Sequence, residues 1–113
     1  MEHAAPISKL LGFSGVGFSF GPYFSAPGKG DGVQIDLLFD REDNVLTLCE
    51  TKYSQSPPGI SLVQEVERKV QLLQNKFPKK TIQKVLIALS PPTRDLMASG
   101  YFYQVIHPEE LLD

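Results

Sequence analysis

Apolar residues recur at helical spacing near the start of the chain. Ile7, Leu10 and Leu11 share one face at i, i+3 and i+4, and Gly12 is a natural stop, so the pattern predicts a helix over residues 2–11. From 13 to 27, Phe13, Val16, Phe18, Phe20, Tyr23 and Phe24 are set among Gly, Ser and Pro, which predicts one irregular strand. The run Pro27-Gly28-Lys29-Gly30-Asp31-Gly32 reads as a loop. Two strand-like runs follow, VQIDLLFD at 33–40 and VLTLCETKY at 45–53, around the turn Arg41-Glu42-Asp43-Asn44; this is the clearest hairpin signal in the chain. After a Pro-rich loop at 54–59, Val63, Val66, Val70, Leu73 and Phe77 form a stripe that predicts a helix over 61–77, with Glu65 and Lys69 supporting its other face at i, i+4 and Pro78 ending it. The run TIQKVLIAL at 81–89 is apolar enough for a buried strand. Ser90-Pro91-Pro92 breaks it, YFYQVI at 101–106 predicts a last strand, and Glu109 to Asp113 form a short acidic tail.

The order helix, irregular strand, hairpin, helix, strand, strand predicts an α/β fold. An antiparallel hairpin followed by a helical crossover gives a mixed central sheet flanked by helices. With 113 residues the chain is expected to form a single domain, 1–113. A hydrophobic share of 42% supports a modest core, and no apolar run is long enough to span a membrane. The only cysteine is Cys49, so no internal disulfide can form, and a cytoplasmic setting is expected. A net charge of −2 gives no overall attraction to nucleic acid, so any such contact must come from a local patch.

The residues with chemistry lie on the hairpin. Glu50 and Lys52 are two apart on a strand, so both side chains leave one face, roughly 6.5–7 Å apart. Whether Asp36 joins them depends on register. A three-residue loop, Glu42-Asp43-Asn44, sets Asp36 opposite Glu50 with Cβ atoms roughly 4.5–5.5 Å apart. A two- or four-residue loop sets it opposite Cys49, on the wrong face. The three-residue hairpin needs a left-handed residue at its last position, and Asn44, one of the few non-glycine residues that accept this, stands there. Two carboxylates on adjacent strands suit a hard cation, Mg²⁺ or Mn²⁺, with the Thr51 carbonyl as a further ligand and Lys52 beside the attacking water. The bland alternative is a surface hairpin with ordinary charges, since E-x-K is common by chance. Against it, Glu50 and Lys52 end an apolar strand, and Asp36 interrupts Ile35-Asp36-Leu37-Leu38-Phe39, where a buried carboxylate needs compensation.

From Gly32 to Ser54 the pattern G-x-Q-I-D-L-L-x-D-R-x-D-N-x-x-x-L-C-E-x-K-[FY]-S resembles the C-terminal nuclease-like domain of archaeal and bacterial AAA-type ATPases, which looks like a member of the PD-(D/E)XK, restriction-endonuclease-like superfamily. The match extends upstream through Glu2-His3-x-x-x-Ile7-x-x-Leu10-Leu11-Gly12-Phe13-Ser14-Gly15-Val16, and more weakly downstream to residue 86 and Leu111-Leu112-Asp113. The resemblance implies an αβββαβ core, with Asp36, Glu50 and Lys52 as catalytic residues and Asp36, Glu50 and Thr51 as metal ligands. It also implies accessory roles for Gln34 and for Glu2 on the first helix. The implied function is metal-dependent endonucleolytic hydrolysis of DNA. The competing expectation is a catalytically inactive module acting as an interaction or DNA-binding domain of an ATPase. An ATPase domain in cis or in trans is the implied partner: G-x-x-x-x-G-K-[ST] does not occur here, so either this domain stands alone or it is the C-terminal fragment of a longer ATPase. A homodimer is left open.

Other groups are weighed against simpler roles. Lys29, Lys69, Lys76, Lys79 and Lys80, with Arg68 and Lys84, are candidates for holding phosphates, against the commoner reading of a solvated helix face. Tyr53 is expected to pack in the core rather than stack on a base. Cys49 reads as a buried structural thiol. His3 and His107 have no partner at ligand spacing, which argues against zinc.

Overall fold

The computed structural model describes residues 4–24 and 33–112. Five strands form one sheet in the order β1-β2-β3-β4-β5. They are β1 (Phe18–Phe24), β2 (Gln34–Arg41), β3 (Val45–Lys52), β4 (Thr81–Ala88) and β5 (Gln104–Ile106). The pairs β1–β2 and β2–β3 are antiparallel, whereas β4 is parallel to β3 and β5 parallel to β4, so the sheet is mixed as the element order predicts. Helix α1 (Ala4–Leu10) precedes the sheet, α2 (Leu62–Lys76) carries the crossover from β3 to β4, and α3 (Arg94–Ser99) lies between β4 and β5. Among the described residues no helix is long and apolar enough to cross a membrane.

Both faces of the sheet are covered, which explains the nearly continuous apolar runs of β3 and β4. Leu37, Phe39, Cys49, Val85, Ile87 and Ile106 pack with Ala4, Ile7 and Leu11 of α1 and with Phe13 and Leu111. Leu38, Leu46, Leu48, Leu86 and Ala88 pack on the other face with Leu62, Val66, Val70 and Leu73 of α2 and Leu96 of α3. The Cys49 thiol is fully buried, and desolvation pushes its pKa up to about 12, as a structural cysteine requires.

The hairpin register follows from its turn. Leu37 pairs with Cys49, Leu38 with Leu48, Phe39 with Thr47 and Asp40 with Leu46, leaving Glu42, Asp43 and Asn44 as a three-residue loop. Asn44 has φ 65°, the left-handed conformation that this turn demands at its last position. Arg41 braces the turn through Asp43, at 2.6 and 3.1 Å, and its guanidinium lies over the Phe13 ring at 4.3 Å.

Three local expectations are corrected. The last strand is only Gln104–Ile106, because Tyr101 and Phe102 come in from an irregular segment to pack against the α2 layer. Helix α3 was not foreseen: with six residues and only Leu96 buried, it is too short for a periodic signal. The acidic tail forms a 3-10 turn, Pro108–Leu111, capped by the His107 ring, whose Nδ1 accepts from the Glu109 N–H at 3.1 Å. This gives His107 a structural role.

Substituting Asn44 tests the turn. Asn44→Gly is expected to be near neutral in urea denaturation. Asn44→Val places a β-branched residue at positive φ and is expected to lower stability by about 1 kcal/mol or more.

Candidate active site

The candidate site lies at the end of β3, where it parts from β2. Glu50 belongs to the row Leu46, Leu48, Glu50, which faces α2. It is 2% exposed, so its charge needs compensation inside the protein. Lys69 supplies it: its Nζ donates to Glu50 Oε1 at 2.8 Å. Lys52 approaches the other oxygen, Nζ to Oε2 at 3.7 Å, and lies 3.5 Å from Glu65 Oε2 on α2. The Lys52 and Glu65 side chains are 35% and 48% exposed, so of the two amines at Glu50 Lys52 is the one more open to solvent.

Asp36 is held differently. Continued by one pair, the hairpin register would place it opposite Glu50, but regular pairing stops at Leu37 and Cys49. The cause lies on the other side of β2. Between Gly21–Leu38 and Tyr23–Ile35 the register with β1 shifts, so Pro22 alone faces both Asp36 and Leu37. Proline has no N–H for the ladder, and a bulge is where a strand tolerates it. The slip shows in the packing: Ile35 lies in the α2 layer, while Leu37, two residues on, lies in the α1 layer.

At this slip the Asp36 carboxylate turns to Thr51. Its Oδ2 accepts from the Thr51 hydroxyl at 2.7 Å and from the Thr51 backbone N–H at 3.4 Å. Strand N–H groups point sideways in the sheet plane, so the carboxylate sits in the gap between the strands, where a continued ladder would offer the Ile35 carbonyl. A residue in extended backbone sends its N–H and C=O toward the same neighbour. The Thr51 carbonyl therefore points into the gap beside Asp36, whereas Lys52, next in alternation, gives its carbonyl to Leu89 N–H on the β4 side at 2.9 Å. The structure thus joins Asp36 to Thr51 and Glu50 to Lys52 and Lys69, on consecutive residues of β3. The expected direct meeting of two carboxylates across the strands becomes a meeting of Asp36 with the residue next to Glu50.

The remaining candidates are distributed more widely. Gln34 opens β2, exposed and paired with Phe24. Glu2 and Lys29, with His3 and the Gly-rich loop, lie outside the described residues. Lys69 is not on a solvated face but 8% exposed against Glu50, so it cannot serve as a surface phosphate contact. Lys80 pairs with Asp40 at 2.5 Å, and Thr81 just after it lies beside Val45 at the start of β3. The segment holding Lys76, Lys79 and Lys80 is therefore near the opposite end of the sheet, roughly 20 Å along β3 from Lys52 at the usual strand rise. Lys84 lies over the Tyr101 ring at 4.2 Å. Tyr53 is 58% exposed rather than in the core, because β3 ends at Lys52 and the chain leaves the packed layers there.

Sequence reasoning missed two partners. The Thr51 side chain carried no signal, since only its carbonyl suggested a role. Lys69 did carry one. It falls between Val66 and Leu73 on the inward face of α2, where an apolar residue is the rule and a lysine asks for a buried acid.

Removing the partner of a buried charge is costly. Lys69→Ala is expected to destabilise the fold by about 3 kcal/mol in urea denaturation, and Glu50→Leu combined with Lys69→Met by much less.

No protein-family model matches the chain, and no curated protein matches it. Among solved structures it is similar to the protein of unknown function AF1548, with a TM-score of 0.60 at 12% identity over 94% of this chain and 54% of that one. It is also similar to a repair endonuclease from Pyrococcus abyssi, with a TM-score of 0.57 at 17% identity over 94% of this chain and 45% of that one. The chain spans about half the length of each. The shared feature is the fold, which in this chain is a mixed five-stranded sheet with helices on both faces.

Proposed function

We propose that the chain is a divalent-metal-dependent nuclease domain that hydrolyses phosphodiester bonds in DNA. The observation that carries this reading is the contact of Asp36 with Thr51, which ties the β2 carboxylate to the Glu50-Thr51-Lys52 segment at the point where the strands separate. The endonuclease fold supports it.

The donor set fits a hard cation. Asp36, Glu50 and the Thr51 carbonyl offer only oxygen, the ligand type preferred by Mg²⁺ and Mn²⁺. Charge also fits: Glu50 and Glu65 balance the ammoniums of Lys52 and Lys69, and Asp36, held at Thr51, adds a carboxylate that pairs with neither lysine. When bound, such a cation supplies charge stabilisation at the attacked phosphate and acidifies a coordinated water. The protein's own part is to position. Asp36 and Glu50 hold the cation, and the solvent-accessible ammonium of Lys52 orients the attacking water and offsets charge as the phosphorus–oxygen bond breaks. The products are one phosphomonoester end and one alcohol end. An AAA-type ATPase domain as partner belongs to the same proposal.

One observation favours a second reading. Glu50 is already neutralised by two lysines, so the group is electrostatically complete enough to persist in a catalytically inactive module that binds DNA or an ATPase. Plasmid nicking separates the two. With Mn²⁺ the wild type is expected to convert supercoiled to relaxed DNA, and Asp36→Asn or Lys52→Ala to slow this by about 10²-fold or more while circular dichroism is unchanged. Equal, background-level nicking by all three proteins would support the inactive module.

A further inference from the structure

The most unusual group in the described structure is Lys69. An ammonium on the inward face of α2, between Val66 and Leu73, occupies a place where an apolar side chain would pack without a desolvation cost. Its Nζ is the closer of the two amines to Glu50, at 2.8 Å against 3.7 Å for Lys52. The side chains of Lys69 and Glu50 are 11% and 3% exposed, so solvent and salt screen their interaction poorly.

We propose that Lys69 sets the strength of the cation site: it is a built-in counter-charge that neutralises and aims Glu50, and that an entering divalent ion must share or displace. This rests on the reading of Asp36 and Glu50 as cation ligands. Two positive charges on one poorly screened carboxylate repel each other, so the ammonium weakens cation binding while stabilising the cation-free fold. Its flexible four-carbon stem lets it yield the carboxylate when the stronger charge arrives. Lys69 is a positioning residue here, acting through Glu50, whereas Lys52 is the amine open to substrate.

The test is calorimetric titration of Mn²⁺ into the wild type, Lys69→Arg, Lys69→Gln and Asp36→Ala. Lys69→Gln keeps a donor for Glu50 Oε1 and removes the charge, so it is expected to bind Mn²⁺ about tenfold tighter than the wild type. Lys69→Arg keeps the charge and is expected to bind like the wild type. The shift in melting temperature on adding Mn²⁺ is expected to be larger for Lys69→Gln, since the ion replaces the lost counter-charge; this readout also serves if Lys69→Gln is only marginally folded without metal. Wild-type heats that vanish in Asp36→Ala, together with equal affinity in wild type and Lys69→Gln, would overturn the role of Lys69 and leave the cation site standing. Negligible heats in every protein would overturn the cation site itself, and this inference with it.

Discussion

A hairpin whose loop has an odd number of residues sets Arg41 against Val45, and that pairing decides the face of every side chain on β3. With Asn44 in the left-handed region, Leu46, Leu48 and Glu50 turn toward α2, while Thr47 and Cys49 turn toward α1. A slip of one residue would place Cys49 against the helix and drive Glu50 into the α1 layer, where Ile7, Leu11 and Phe13 offer no partner for a carboxylate. The same register carries β3 to its parallel neighbour β4, whose Val85-Leu86-Ile87-Ala88 run is buried on both faces.

Once that register is set, the group at the end of β3 follows from two local departures from regularity. Pro22 withholds a ladder donor and β2 bulges, which frees Asp36 from the alternation of its strand and lets its carboxylate cap the Thr51 N–H. Lys69 breaks the apolar stripe of α2 and answers Glu50 from inside the protein. Both devices place charge where the fold alone would place hydrocarbon or backbone pairing. Such local violations, held in place by a consistent surrounding structure, are where function is expected. Oxygen donors on consecutive β3 residues, with one solvent-accessible lysine beside them, are the physical basis for the proposed phosphodiesterase.

Much of the fold was legible in the residues because the signals were strong and local. The Asn44 turn, the alternation of β3, the apolar run of β4 and the stripe of α2 each specify an element and a face. The short elements were not legible: α3 buries one residue and β5 has three, and neither gives a period to read. At the candidate site, spacing alone put Glu50 and Lys52 on one face, and the turn register led to Asp36 facing Glu50 directly, where the structure has it meet Thr51 instead. What spacing could not give was the bulge opposite Pro22, because a register shift depends on pairing with a strand distant in sequence. The direction of Lys69 was misread for a related reason. Its i−4 neighbour Glu65 suggested a surface ion pair, whereas Glu65 meets Lys52 instead and Lys69 points at the sheet.

The proposed chemistry requires a divalent ion to be drawn to the gap between β2 and β3. Titrating Mn²⁺ into ¹⁵N-labelled protein and following paramagnetic broadening of amide signals tests this most directly. Asp36, Glu50, Thr51 and Lys52 are expected to broaden first, at substoichiometric ion, while Thr81 and Asp43 at the far end of the sheet stay sharp. Broadening centred on Asp40, Asp43 and the hairpin turn, or spread evenly over the surface carboxylates, would contradict it.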